Sequence, residues 1–173
     1  PSGSRLNATL PAGNRKTFTF SFWFKRQTLG GVQYLYNTGG NGFIISLSSD
    51  QFNIYDYSGS YRFRLNPSHV FRDTSAWYHF VLSYDTTNST SSERAKLYIN
   101  GERVTEFDNE VQPPQDAEYF VGLNTGYIIN SYNNTSFGNF YYADWHFVDG
   151  QALNATDFGE FDNRYFCRIR RWQ

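Results

Sequence analysis

Thr17-Phe18-Thr19-Phe20-Ser21-Phe22-Trp23-Phe24-Lys25 decides the fold. A phenylalanine stands at every second position, with Thr, Ser, Trp or Lys between. Period two is the mark of a β-strand, because successive side chains point to opposite faces of the sheet. The four Phe are expected to face a core. Trp23 is expected on the other face, either against a second layer or exposed. Outward from this stretch, Tyr34–Asn37, Gly42–Leu47, Phe52–Tyr57 and Tyr61–Leu65 read as further strands. Gly39–Gly42, Ser48–Asp50 and Ser58–Gly59 break them. A repeat of about ten residues fits antiparallel hairpins of a sandwich.

Trp77–Asp85 is the next strong strand. Tyr78, Phe80, Leu82 and Tyr84 share one face, and Trp77, His79, Val81 and Ser83 the other. Both faces are fairly apolar, which predicts a central strand. Thr86–Ser92 is a polar loop, and Arg94–Asn100 follows with Ala95, Leu97 and Ile99 on one face. Asn100–Gly101 suits a type I′ turn, which needs two residues at positive φ. Glu102–Phe107 is expected to return from that turn, and Pro113–Pro114 to end pairing. Tyr119–Leu123 and Tyr141–Val148 read as the last strands, with Asn124–Asn139 a surface loop between them. Leu153–Phe158 suits one helical turn. The expected core is Phe18, Phe20, Phe22, Phe24, Phe80, Leu82, Leu97, Ile99 and Phe147.

The chain has 173 residues, the size of one domain. Aromatics make up 20% of it (17 Phe, 14 Tyr, 4 Trp) and only 18% is charged. That composition favours strands and turns over helices. The net charge of −1 lacks the basic footprint of a nucleic-acid binder. No apolar run approaches the ~20 residues of a membrane span, so membrane insertion is not expected. No signal-peptide pattern is present, and the first residue is Pro1, so the initiator Met was removed or the chain is a fragment. Cys167 stands alone, which excludes an intramolecular disulfide. The last ten residues hold four of the 15 basic residues and none of the 16 acidic ones, leaving −5 on the rest. A domain over residues 1–163 and a short basic tail over 164–173 are therefore expected.

Three segments carry a family pattern: Ala12 to Arg26; Phe71 to Phe80 with Trp77-Tyr78-His79, continuing to Tyr98-Ile99-Asn100-Gly101; and Ala143 to Glu160 with Asp149-Gly150-Gln151-Ala152-Leu153 and Phe158-Gly159-Glu160. Together they resemble the laminin-G-like, concanavalin A-like lectin/glucanase domains of bacteriophage virion proteins. The resemblance spans roughly residues 5–162. It implies an all-β fold, a jelly-roll sandwich of two antiparallel sheets. It also implies a place in a virion, as tail fibre, tail tip or capsid decoration, with other virion proteins and a host-surface glycan as partners and a homo-oligomer within the particle. Fold does not fix function, so the site must be read from residues.

Sugars are held by aromatic faces together with amide, hydroxyl and carboxylate groups. Two clusters suit this chemistry: Tyr55, Tyr57 and Tyr61; and the segment from Tyr127 to Phe140 with Tyr132, Asn133 and Asn134. Loops of Tyr, Asn, Ser and Gly equally suit protein contacts. Calcium prefers carboxylate and carbonyl oxygens, and Asp85, Asp144 and Asp149 flank strand ends where laminin-G-like domains often hold it. The same residues also suit turn caps. No cofactor is expected to be required, and Ca²⁺ is the one left open. Glu106, Asp108 and Glu110 alternate as in retaining laminarinase-type hydrolases, whose two carboxyls stand about 5–5.5 Å apart. Here they follow the Asn100–Gly101 turn closely and run into Pro113, so they read as the charged end of a hairpin and the chain as non-enzymatic. His69, His79 and His146 have no metal-ligand spacing. No Ser-His-Asp motif or phosphate loop is present. The Asn-x-Ser/Thr sites at Asn7, Asn88, Asn133, Asn134 and Asn154 read as incidental to composition.

The basic tail, with Arg164, Arg168, Arg170, Arg171 and Trp172, either adds a strand or docks on an acidic neighbour; the docking arm is preferred. The expected function is a non-enzymatic lectin-like module binding host-surface carbohydrate. The alternative is a structural decoration or fibre-assembly domain with protein contacts only.

Overall fold

The computed structural model describes residues 4–9, 11–39, 42–118, 121, 126–132 and 136–169. In chain order the strands are β1 (Leu6–Thr9), β2 (Thr17–Arg26), β3 (Val32–Asn37), β4 (Phe43–Ser48), β5 (Gln51–Tyr57), β6 (Tyr61–Pro67), β7 (Tyr78–Asp85), β8 (Ala95–Ile99), β9 (Glu102–Arg103), β10 (Phe107–Val111), β11 (Gly126–Ile129), β12 (Ser131–Tyr132), β13 (Ser136–Phe137), β14 (Phe140–Asp149), β15 (Gly159–Asp162) and β16 (Tyr165–Arg168). A seven-stranded sheet runs β1-β11-β3-β4-β5-β6-β10, and a five-stranded sheet runs β14-β2-β7-β8-β9. All pairings are antiparallel. This is the all-β two-sheet sandwich that the sequence predicts.

The core lies between the sheets. Phe18, Phe20, Phe22 and Phe24 are buried from one side, and Leu35, Phe43, Ile45, Phe52, Ile54 and Phe63 from the other. Phe22 is sandwiched between Phe80 and Trp145, with ring centroids 4.6 and 4.2 Å away. Offset ring packing adds roughly 0.5–1.5 kcal/mol per pair beyond area burial. Phe80, Leu82 and Leu97 are buried as expected, while Ile99 and Phe147 are partly buried against the cluster. β7 lies between β2 and β8, as its two apolar faces predict. Asn100 and Gly101 have φ of 50° and 84°, the turn their identities demand.

Three stretches differ from expectation. β9 is only two residues long; the chain then leaves the five-stranded sheet and enters the other as β10, beside β6. The Asn124–Asn139 segment is not merely loop: β11 inserts between β1 and β3. Its four residues are too few for the period-two signal to stand out. Tyr119–Leu123 lies outside the described residues apart from Val121, which is buried. The third concerns the tail: Tyr165–Arg168 takes the first of its two fates and pairs with β15, so residue 163 sits in a hairpin turn.

One buried ion pair closes the end of β2. Arg26, 1% exposed, donates to Asp50 at 2.8 Å and to the Phe71 carbonyl at 2.6 Å. The Gly30 amide and Arg26 hold the Asp50 carboxyl down at about 2.

Candidate functional site: the tyrosine face of the seven-stranded sheet

Alternation along β3 to β6 sends one set of residues inward and leaves Tyr34, Ser46, Asn53, Tyr55 and Arg64 on the outer face. Register sets them side by side. Tyr34 pairs with Ser46 and Ser46 with Asn53, while Tyr55 pairs with Arg64. The β12–β13 hairpin then lays Tyr132 on Tyr34, with centroids 4.7 Å apart and planes 18° apart. Tyr61 stands edge-on to Tyr55 at 5.6 Å and to Tyr57 at 5.2 Å. Arg64 lies over the Tyr61 ring, 4.5 Å from its centroid. Beneath this surface, buried Asp56 accepts from Arg62 and anchors the β5–β6 hairpin that carries three of the tyrosines. Polar groups complete the face: Asn66 donates to the Asn53 amide oxygen at 2.9 Å.

The tyrosines are electrostatically coupled. Burial raises the Tyr55 phenol to about 12, assisted by Tyr34, Tyr61 and Tyr132 and opposed by Arg64. Burial, then Tyr132, raises Tyr34. Tyr34 and Tyr55 therefore stay protonated at neutral pH, as hydroxyl donors on aromatic plates. The array can stack an apolar ring face and hydrogen-bond its rim.

The structure thus merges two clusters that the sequence kept separate: Tyr55, Tyr57 and Tyr61 from one, and Tyr132 from the other. Tyr34 and Arg64 were missed: period two marks Arg64 as outward, opposite to Phe63 and Leu65, whereas only a register shift in β3 separates Tyr34 from buried Tyr36 of the same parity. Tyr127 is a correction. It belongs to β11, is 5% exposed and packs on Tyr36 at 5.8 Å, because an inward position of that strand fills the core. Asn133 and Asn134 lie outside the described residues.

The three aspartates sit apart in roles of their own. Asp85 accepts from the Thr87 amide and hydroxyl, and Asp149 from the Asn14 amide at 2.7 Å. Asp144 pairs with Arg168 at 2.9 Å. Among the described residues no three His, Cys, Asp or Glu gather as a metal group. Glu106 precedes β10, and Asp108 is held by Gln51 and Ser68. A register shift at Phe107–Asn109 interrupts the alternation that the hydrolase pattern needs. His79 and His146 do share a cavity, on the opposite sheet, and His69 is exposed elsewhere. Arg164 is exposed at the β15–β16 turn, whereas Arg170, Arg171 and Trp172 lie outside the described residues.

Among solved structures the fold is similar to that of botulinum neurotoxin type C, whose cell entry is dependent upon interaction with two ganglioside molecules. That match is 16% identical with a TM-score of 0.60, over 88% of this chain and 38% of that one. The binding domain of botulinum neurotoxin DC in complex with rat synaptotagmin II is 13% identical with a TM-score of 0.57, over 88% and 40%. The CBM40 of the Ruminococcus gnavus IT-sialidase is 13% identical with a TM-score of 0.54, over 89% of this chain and 95% of that one. The chain therefore spans about two fifths of the neurotoxin chains it matches. Curated protein sequences contain no match to it. A family model described as the concanavalin A-like lectin/glucanases superfamily matches residues 2–157, and with the sandwich topology this places the chain: it belongs to that superfamily.

Proposed function

We propose that this domain is a non-catalytic glycan-binding module and that the tyrosine face is its binding surface. One observation carries the reading: Tyr34, Tyr55, Tyr61 and Tyr132, from three separate stretches of chain, converge on one face with Arg64. Stacking on such plates is shallow, so a single site binds weakly, and repeated display raises avidity by a factor of roughly 10²–10⁴. The ganglioside dependence of the neurotoxin and the CBM40 of the sialidase support the substrate class on this fold. The motif resemblance to phage virion domains supports a host-surface glycan as target, on a tail fibre or capsid, with homo-oligomeric display.

The test is a multimerised domain on a bacterial-polysaccharide and ganglioside array, with calcium and with chelator. Binding lost in Tyr34→Ala and Tyr55→Ala is the expected result. Loss on chelation would add a calcium role for the rim aspartates. Silence across the array overturns the reading in favour of a structural domain. That second reading has its own observation: β1 forms a sheet edge, all four of its residues are exposed, and Leu6 is 69% exposed. An open edge invites pairing with another chain.

A further inference from the structure

The outer face of the five-stranded sheet carries a cavity of about 870 Å³, within the usual range for small-molecule sites. Its floor is Ser21 and Trp23 of β2, His79 of β7 and His146 of β14; β16 contributes Cys167 and Arg168 to its wall. A bulge builds the floor. The register of β14 shifts between Ala143 and His146, with Asp144 at φ 49°, so Trp145 packs in the core while His146 pairs beside Ser21.

His79 is 1% exposed. Its Nε2 stands 3.0 Å from the Ser21 hydroxyl, and its Nδ1 has no partner among the described residues. A buried polar atom left unpaired carries its full desolvation penalty, so this nitrogen rewards a ligand that reaches it. The ring is neutral at ordinary pH, because burial, then His146, holds it down at about 4. A neutral imidazole presents Nδ1 as donor or acceptor according to tautomer, and the Ser21 hydroxyl accommodates both. A ligand hydroxyl also accommodates both. The remaining charge selects against anions: Asp144 is paired with Arg168 at 2.9 Å, and Asp157 stands at the rim. Trp23 and Phe158 supply apolar ring surface.

We propose that this cavity is a saccharide site in its own right, taking the terminal pyranose of a glycan with one hydroxyl on His79 Nδ1 and the sugar ring against Trp23. It does not depend on the tyrosine face, which lies on the other sheet. Asp157 and Arg168 meet further hydroxyls at the rim.

Isotope-labelled protein titrated with the methyl pyranosides of glucose, galactose and mannose tests this, with butylamine and acetate as charged comparators. The imidazole signals of His79 and His146 and the indole signal of Trp23 report this cavity; the Tyr34 and Tyr55 rings report the other face. At least one pyranoside is expected to shift His79, His146 and Trp23 saturably, in Tyr55→Ala protein as in the parent. The exposed variant Asp157→Asn is expected to weaken that binding about tenfold, the equivalent of one charge-assisted hydrogen bond. Unmoved cavity signals with all three sugars overturn the proposal, as does saturable binding of butylamine or acetate without any pyranoside.

Discussion

The two outer faces of this sandwich solve the same problem differently. Each sheet carries more aromatic side chains than its core face can absorb. The seven-stranded sheet leaves its surplus at the surface, with Tyr34 against Tyr132 and Tyr55 against Tyr61. The five-stranded sheet covers its surplus with the β15–β16 hairpin, whose Phe166 ring stacks on His79 at 5.2 Å and near Trp23 at 6.3 Å. Phe can be covered because it brings no polar atom. The covered face therefore ends with a buried, unpaired imidazole, and the open face with half-buried phenols. Titration and backbone space should disturb the covered face, whereas side-chain truncation should disturb the open one.

Acid gives the largest expected contrast. His79 takes up its proton near 6.5 when unfolded and only near 4 when folded. Between those values the unfolded chain binds a proton that the folded chain refuses, so stability is fully present above about 6.5 and is lost as pH falls toward 4. The loss is on the order of 3 kcal/mol. Asp50, lowered from 3.8 to about 2, acts below that window. Urea midpoints followed from about pH 7 to about pH 4 should fall steadily. A flat profile would mean that water or a side-chain rearrangement already solvates the ring.

Gly101→Ala comes next. Its φ is +84°, and an added Cβ would collide with the Phe166 ring. Strain and displacement together should cost about 2 kcal/mol and expose Trp23. Thermal unfolding and a red shift of tryptophan fluorescence check both. If the melting temperature is unchanged, the hairpin is not seated as described.

Tyr34→Ala removes the stack with Tyr132 and should cost about 1 kcal/mol while abolishing array binding. If stability falls and binding survives, the face is only structural. The smallest effect is expected for Arg64→Gln, which loses a cation–π contact with Tyr61 of about 0.5–1 kcal/mol and should weaken glycan binding without affecting calorimetric unfolding by more.

The legible parts were those written in local periodicity. Phe18 to Phe24 displays its burial in its own alternation, and Asn100–Gly101 displays its turn in φ preference. The chain's departure from the five-stranded sheet after Arg103 is not written locally: Phe107 is half-buried in β10 because Pro67 waits across the ladder, forty residues earlier in sequence. Tyr127 looked like a loop tyrosine because Asn, Gly and Ser surround it, yet β1 and β3 supply partners on both sides. The candidate site was legible in residue type but not in assembly. Tyr55 and Tyr132 could be nominated separately, and only the register of β3 to β6 brings them to one surface.

The sulfur of Cys167 makes the protein its own reporter. It is the only thiol in the sequence, partly exposed, in the wall of the His79 cavity, and its hydrogen bond to the Glu160 carbonyl ties it to the hairpin. A maleimide dye would therefore attach at one place without mutagenesis. Its coupling rate would clock how often the hairpin lifts, and its emission would register whatever enters beside it.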